Sequence, residues 1–252
     1  MTHTRNGMSS PRRRIAASLA LILLLQLLLS AFAPGTGRVH AEEAAPEASA
    51  APATKYITFL YNDFTQSASR LKFNGVAKPE ETALRLTPAK PDLFGSVFNK
   101  ERVWLKDNAG FSTYFTFQLT DQGHRPGFAN GADGIVFTLQ TQSNSAGGIG
   151  SGIGYQGIQP SIGIEFDTYP NGESPINDPN DNHVAIDFNG SVNHSGPGAV
   201  AEPVDIDFKS GNPVHAWIDY KADTGRIEVY LSENETRPAQ PVVSQDGIDL
   251  IG

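Results

Sequence analysis

The sequence contains no cysteine. Disulfides, thiol catalysis and cysteine-ligated zinc or iron–sulfur centres are therefore excluded, so a folded domain here depends on core size, bound metal or both. Helical periodicity is almost absent, and there is neither an internal repeat nor a heptad. No apolar run long enough to cross a bilayer occurs after Phe32. Positive charge is scarce as well. Taking away residues 1–41 takes away five Arg and no acid, leaving 14 basic against 27 acidic residues and a formal charge of −13. Phosphate binding needs a basic face, so a nucleic-acid partner is not expected.

What is present divides the chain into three parts. Arg12, Arg13 and Arg14 precede an apolar run from Ile15 to Phe32, and Val39-His40-Ala41 follows. That order predicts a secretory signal peptide over residues 1–41, cleaved after Ala41. An uncleaved membrane anchor is the alternative, because the run approaches the spanning minimum. With cleavage, the product is secreted, extracellular or cell-surface associated, and has no membrane contact of its own. Residues 42–54, EEAAPEASAAPAT, read as a flexible Ala/Pro/Glu-rich spacer. Residues 55–252 read as one folded domain.

Within that domain short β-rich runs alternate with Gly/Pro/Asn/Asp turns: KYITFLY, ALRLT, ERVWLK, FSTYFTFQL, GIVFTLQ, SIGIEFDTY, HVAIDFN, HAWIDYK and RIEVYLS. This predicts an all-β antiparallel sandwich. Aromatics on both faces of FSTYFTFQL predict a strand covered on both sides. HAWIDYKADTGRIEVYLS predicts a hairpin turning through Ala222 to Gly225.

The chemistry concentrates between residues 162 and 187. Glu165 and Asp167 are two apart on a predicted strand, which puts both carboxylates on one face with backbones about 6.7 Å apart. They repel unless a cation lies between them. The same stretch supplies Asn171, Asp178, Asp181, His183 and the Tyr169 carbonyl. Carboxylate, amide and main-chain oxygens suit calcium. An imidazole among carboxylates suits manganese or a similar first-row ion. Asp/Asn/Pro/Gly loops are also ordinary turn material.

The segment IEFDTYPN followed by NDPNDNHVAID resembles the metal-binding segment of the L-type, or legume-like, lectins. The chain is accordingly identified as similar to bacterial members of that family, with a legume-lectin or concanavalin-like jelly roll. The resemblance implies Ca2+ and Mn2+ (or a similar transition metal) as cofactors, glycans as partners and no enzymatic activity. It implies Glu165 and His183 as ligands of the transition metal, Asp167 and Asp178 as bridging carboxylates, and the Tyr169 carbonyl and Asn171 side chain as calcium ligands. Asp181 could replace Asp178, but Pro179 follows Asp178 as the family's Asp-Pro does.

Upstream, NGADGIVFTLQ resembles the family's Ala-Asp-Gly motif, which implies a cis Ala132–Asp133 peptide and Asp133 as the main acceptor of sugar hydroxyls. The glycine-rich SAGGIGSGIGYQG would bring bare backbone to the sugar, with Gly150 and Gly152 as candidate N–H donors. The Asn171 amide would be a second donor and the Tyr169 ring an apolar platform, a mixture that suits a pyranose. The resemblance covers residues 56–252. The family pattern continues beyond a late hairpin through further strands, whereas this chain stops at DGIDLIG. The expectation is a C-terminally incomplete lectin domain that aggregates or partly unfolds when expressed alone.

Two rival functions differ at named residues. Laminarinase-type glucanases place acids as Glu-x-Asp-x-x-Glu, but the third position here is Pro170, so a retaining hydrolase would lack one of its two carboxyls. A structural or adhesive surface module would keep the sandwich without needing Asp133.

Overall fold

The computed structural model describes residues 58–105, 108–123, 126, 130–148, 150–196 and 198–250. The expected signal peptide and spacer lie outside these residues. Twelve strands are described: β1 (Leu71–Gly75), β2 (Lys78–Glu80), β3 (Ala83–Arg85), β4 (Gly95–Asn99), β5 (Phe111–Phe117), β6 (Gly134–Gln140), β7 (Ser161–Asp167), β8 (His183–Phe188), β9 (Val200–Pro203), β10 (Val214–Lys221), β11 (Arg226–Ser232) and β12 (Val243–Gln245). A single short α-helix, Phe64–Ser67, is described; Asp63 caps it by accepting from the Gln66 N–H. No described helix is long and apolar enough to cross a membrane.

Two antiparallel four-stranded sheets make the sandwich, ordered β12-β11-β10-β5 and β6-β7-β8-β9. Two-stranded ladders β1-β4 and β2-β3 accompany them. Alternation along the strands builds the core between the sheets. Phe117, Ala216, Ile218 and Val229 from one sheet meet Ile164, Phe166, Val184 and Ile186 from the other in one buried cluster. Phe166 anchors it, with Phe117 at 5.0 Å and Phe115 edge-on at 6.0 Å. Burying such a side chain contributes on the order of 2 kcal/mol.

The outer face of the β6–β9 sheet is covered too. Tyr155, Ile153, Ile158 and Val192 form a second buried cluster over it. Tyr155 packs directly on Gly163, which has no side chain; a Cβ there would be 3.0 Å from its ring. The Tyr155 hydroxyl donates to the Asp187 carbonyl at 3.2 Å and accepts from Ser161 at 2.9 Å. β7 is buried along its whole length as a result.

The strand expectations hold for the central runs and for ALRLT, which supplies β3, and fail for two other early runs. The described residues of KYITFLY and ERVWLK form no strand, and Val103 and Trp104 are exposed. LKFNG and GSVFN pair instead as β1 and β4. The hairpin of β10 and β11 forms as expected, with Lys221 opposite Arg226 and Gly225 at φ +62°. The expectation that β5 is covered on both sides is not met: Tyr114 is 49% exposed, stacked on Trp217 at 5.0 Å. Its ring is accommodated by a neighbouring ring on the outer surface.

Candidate metal centre

Strand register assembles the centre. β7 and β8 pair so that Asp167 lies opposite His183, Glu165 opposite Ala185 and Gly163 opposite Asp187. With a period of two, Asp167, Glu165, His183 and Asp187 all project from the outer face. Ala185, the smallest of these side chains, leaves room beside the Glu165 carboxylate. The loop from Pro170 to Asn182 then folds over the strand ends. Asp178 Oδ2 accepts from the Asn171 N–H at 2.6 Å, and the Asp178 N–H donates to the Asn171 carbonyl at 3.2 Å. Asp167 Oδ1 accepts from the Tyr169 N–H at 2.5 Å. Asn182 fastens the loop from behind: its Nδ2 donates to the Val204 and Ile206 carbonyls, and its Oδ1 accepts from the Phe208 N–H at 3.0 Å.

Two overlapping groups of donors result. One donor atom each from Asp167, Asp178 and His183 lies within 4.8 Å of the others, and the same holds for Glu165, His183 and His194. The side chains of Asp178 and His183 have no solvent exposure, and that of Glu165 is 2% exposed. Glu165 Oε2, His183 Nε2, Asp187 Oδ2 and His194 Nε2 are buried without a hydrogen-bond partner. Leaving such groups bare costs about 1–3 kcal/mol each and more for charged ones, so their convergence on one spot fits a cation. Carboxylates with imidazole are a donor set for a first-row divalent ion.

The electrostatics agree with that fit. Burial pushes the Glu165 carboxyl well above the usual range, with Asp187 and Asp167 adding to the rise against a lowering by His194. Asp167 is pushed up to about 7, chiefly by burial; Asp178 and Asp133 add to this, while the Tyr169 N–H and Glu165 oppose it. Burial lowers His183. Burial also works to lower His194, but Asp178, Asp187 and Glu165 outweigh it and raise this imidazole to about 11. The acids outnumber the positive charges beside them, a deficit that a divalent cation would make good.

Asp181, the alternative to Asp178, is outside the cluster. Its carboxylate is paired with Lys209 Nζ at 2.6 Å, which holds it below the ordinary carboxylate range. The Tyr169 carbonyl accepts from the Asn171 N–H at 3.2 Å, so both expected calcium-ligand residues lie on the turn closed by Asp178.

The Ala132–Asp133 peptide is cis. The Asp133 carbonyl accepts from both the Thr168 N–H at 2.9 Å and the Thr168 hydroxyl at 3.1 Å. Thr168 immediately follows Asp167, so Asp133 is tied to the strand end that carries the acids. Burial raises the Asp133 carboxyl. The glycine-rich loop reaches the same place: Ile153 packs so close to Gly134 that a Cβ there would lie 2.7 Å from Ile153 Cδ1. Of the two glycines expected to face a sugar, Gly150 is exposed and Gly152 is buried against Gln156.

Sequence reasoning missed His194 and Asp187. Asp187 continues the alternation His183, Ala185, Asp187 and was readable from it. His194 lies on the loop after β8, and only the fold brings it back.

The legume lectin domain pattern matches residues 56–251. The L-type lectin-domain containing receptor kinase VIII.2 of Arabidopsis thaliana is 31% identical over 194 residues, covering 71% of this chain and 26% of that protein. The L-type lectin-domain containing receptor kinase S.7 of Oryza sativa subsp. japonica is 33% identical over 161 residues, or 57% and 20% of the two. The chain therefore spans about a quarter or less of the length of these relatives. They are plant proteins and give no support to a bacterial source. Among solved structures, lectin I-B4 from Griffonia simplicifolia in its metal-free form has a TM-score of 0.59 at 24% identity, covering 77% of this chain and 84% of that one. The VIP36 exoplasmic/lumenal domain in its Ca2+/Man-bound form has a TM-score of 0.56 at 20% identity, covering 74% and 75%. These likenesses show the legume-lectin sandwich.

Proposed function

Because the chain belongs to the legume lectin domain family, we propose that it is an exported, metal-dependent lectin that binds glycans without cleaving them. The lectin is proposed to be bacterial. The observation that carries it is the convergence of bare buried donors beside a tethered Asp133.

In this reading Glu165 and His183 hold the transition metal, Asp167 and Asp178 serve both ions, and the Tyr169 carbonyl and Asn171 side chain complete the calcium site. Calcium suits the oxygen donors and manganese or a similar ion suits the donors that include imidazole. Bound cations supply the positive charge that the buried carboxylates lack. The protein's own residues bind the sugar. Asp133 accepts hydrogen bonds from its hydroxyls, the Gly150 N–H and Asn171 amide donate, and the Tyr169 ring packs on its apolar face. Fixing Asn171 and the Asp133 loop before the sugar arrives reduces the ordering cost of binding.

A glycan array probed with the full chain, first in calcium and manganese and then in chelator, tests this. Binding should disappear with chelator and return when both metals are restored. Asp133→Ala should cost more than about 100-fold in affinity, since it leaves the sugar's hydroxyls unpaired, while its melting temperature stays within about 1 °C of the parent. Chelator-insensitive binding, or full affinity in Asp133→Ala, would move the site elsewhere.

A further inference from the structure

We propose that His194 is a direct ligand of the transition-metal ion, which is then held by two imidazoles. This rests on the metal-dependent reading above and goes beyond it by adding a donor from outside the 165–183 segment. The His194 side chain is 2% exposed although it lies on a loop. Its backbone N–H donates to the Ile176 carbonyl at 2.8 Å, which holds that loop against the one carrying Asp178. His194 Nδ1 lies 3.0 Å from Asp178 Oδ1. With the proton on Nδ1, Nε2 presents a bare lone pair.

That lone pair faces the donor cluster. Nε2 is 3.4 Å from Glu165 Oε2 and 3.4 Å from Asp187 Oδ1, and it makes no hydrogen bond to either. His183 is set up in the same way. Its Nδ1 donates to the Asn180 carbonyl at 3.0 Å, and its Nε2 is buried without a partner. The two rings meet edge-on, 5.4 Å apart at 82°. Donors bound to one first-row ion at about 2.1 Å are separated by roughly 3.0–4.2 Å, and the donors of Glu165, His183 and His194 lie within 4.8 Å of one another. Orienting each ligating imidazole through its second nitrogen is how proteins fix a metal-binding tautomer. The rival occupant is a proton, with His194 as an imidazolium facing Glu165 and Asp187 at 3.4 Å; the number of imidazoles bound to zinc separates the two.

A second imidazole favours later first-row ions, so the site should hold Zn2+ over Mn2+ more strongly than a one-imidazole site does. The test is X-ray absorption at the zinc edge on the full chain, stripped of metal and reloaded with one equivalent of Zn2+ in excess calcium. Two imidazoles are expected in the parent and one each in His183→Ala and His194→Gln. Zn2+ affinity in His194→Gln should fall about 10–100-fold, and Mn2+ affinity should fall less. One imidazole in the parent, lost in His183→Ala and kept in His194→Gln, would overturn the proposal and leave the lectin reading intact. A zinc signal without imidazole, unchanged by either substitution, would overturn both.

Discussion

Glu165 and Glu228 sit on interior strands of the two sheets, and both are buried, with relative exposures of 1% and 7%. Their surroundings are opposite. The Glu228 carboxylate accepts from Arg226 Nε at 2.9 Å and the Tyr230 hydroxyl at 3.0 Å, and pairs with Lys221 at 2.7 Å. Those partners, Lys221 first, hold it down to about 2. Glu165 has acids for neighbours and an oxygen with no hydrogen bond, and burial drives its carboxyl up. Burial alone therefore does not tell a structural carboxylate from a functional one. The difference is whether the chain itself supplies the positive charge.

The largest effect expected from this contrast comes from taking the cations away. If each is present at about 100 times its dissociation constant, chelation removes about 2.7 kcal/mol per site. Calorimetry should show a drop of several degrees in the melting temperature of the full chain. An unchanged melt would mean that Glu165 needs no external charge.

Glu165→Gln should next give a sign that depends on metal. In chelator it replaces an acid whose charged form burial disfavours, so stability should change by less than about 0.5 kcal/mol or rise. In metal it should lose about 2 kcal/mol of the cation's contribution. Equal effects in both conditions would erase the contrast.

Glu228→Gln is the smaller counterpart, lowering stability by roughly 1 kcal/mol whether or not metal is present, since its cationic partners are partly solvated. Its pH dependence follows from a folded value near 2 against an ordinary value of 4.5. The depressed carboxyl contributes stability above pH 4.5 that is lost as pH falls through about 2. Denaturant melts of parent and Glu228→Gln should therefore converge as pH falls from 4.5 towards 2. A gap of constant size across that range would assign the effect to packing.

Much of this was readable from the residues in order. Period-two alternation located β5 to β8 and the β10–β11 hairpin, and the spacing of Glu165 and Asp167 put them on one face; the β7–β8 register added His183. The early runs were less readable, because Val103 and Trp104 look like strand residues although the described residues there form no strand. Asp178 and Asp181 were hard to separate by spacing alone; Lys209, twenty-eight residues beyond Asp181, separates them in space. His194 was invisible for a similar reason. Its place depends on a loop-to-loop contact with Ile176, and no local periodicity encodes such a contact.

Asn182 is the chain neighbour of His183, and it grips the main chain of residues 204–208, whose last member, Phe208, lies in the aromatic core with no solvent exposure. The molecule thus contains a short lever. One arm is the imidazole at the donor cluster, the fulcrum is a single amide, and the other arm ends among Phe117 and Phe166. One polar side chain thus ties the donor end of the sheet to the aromatic interior.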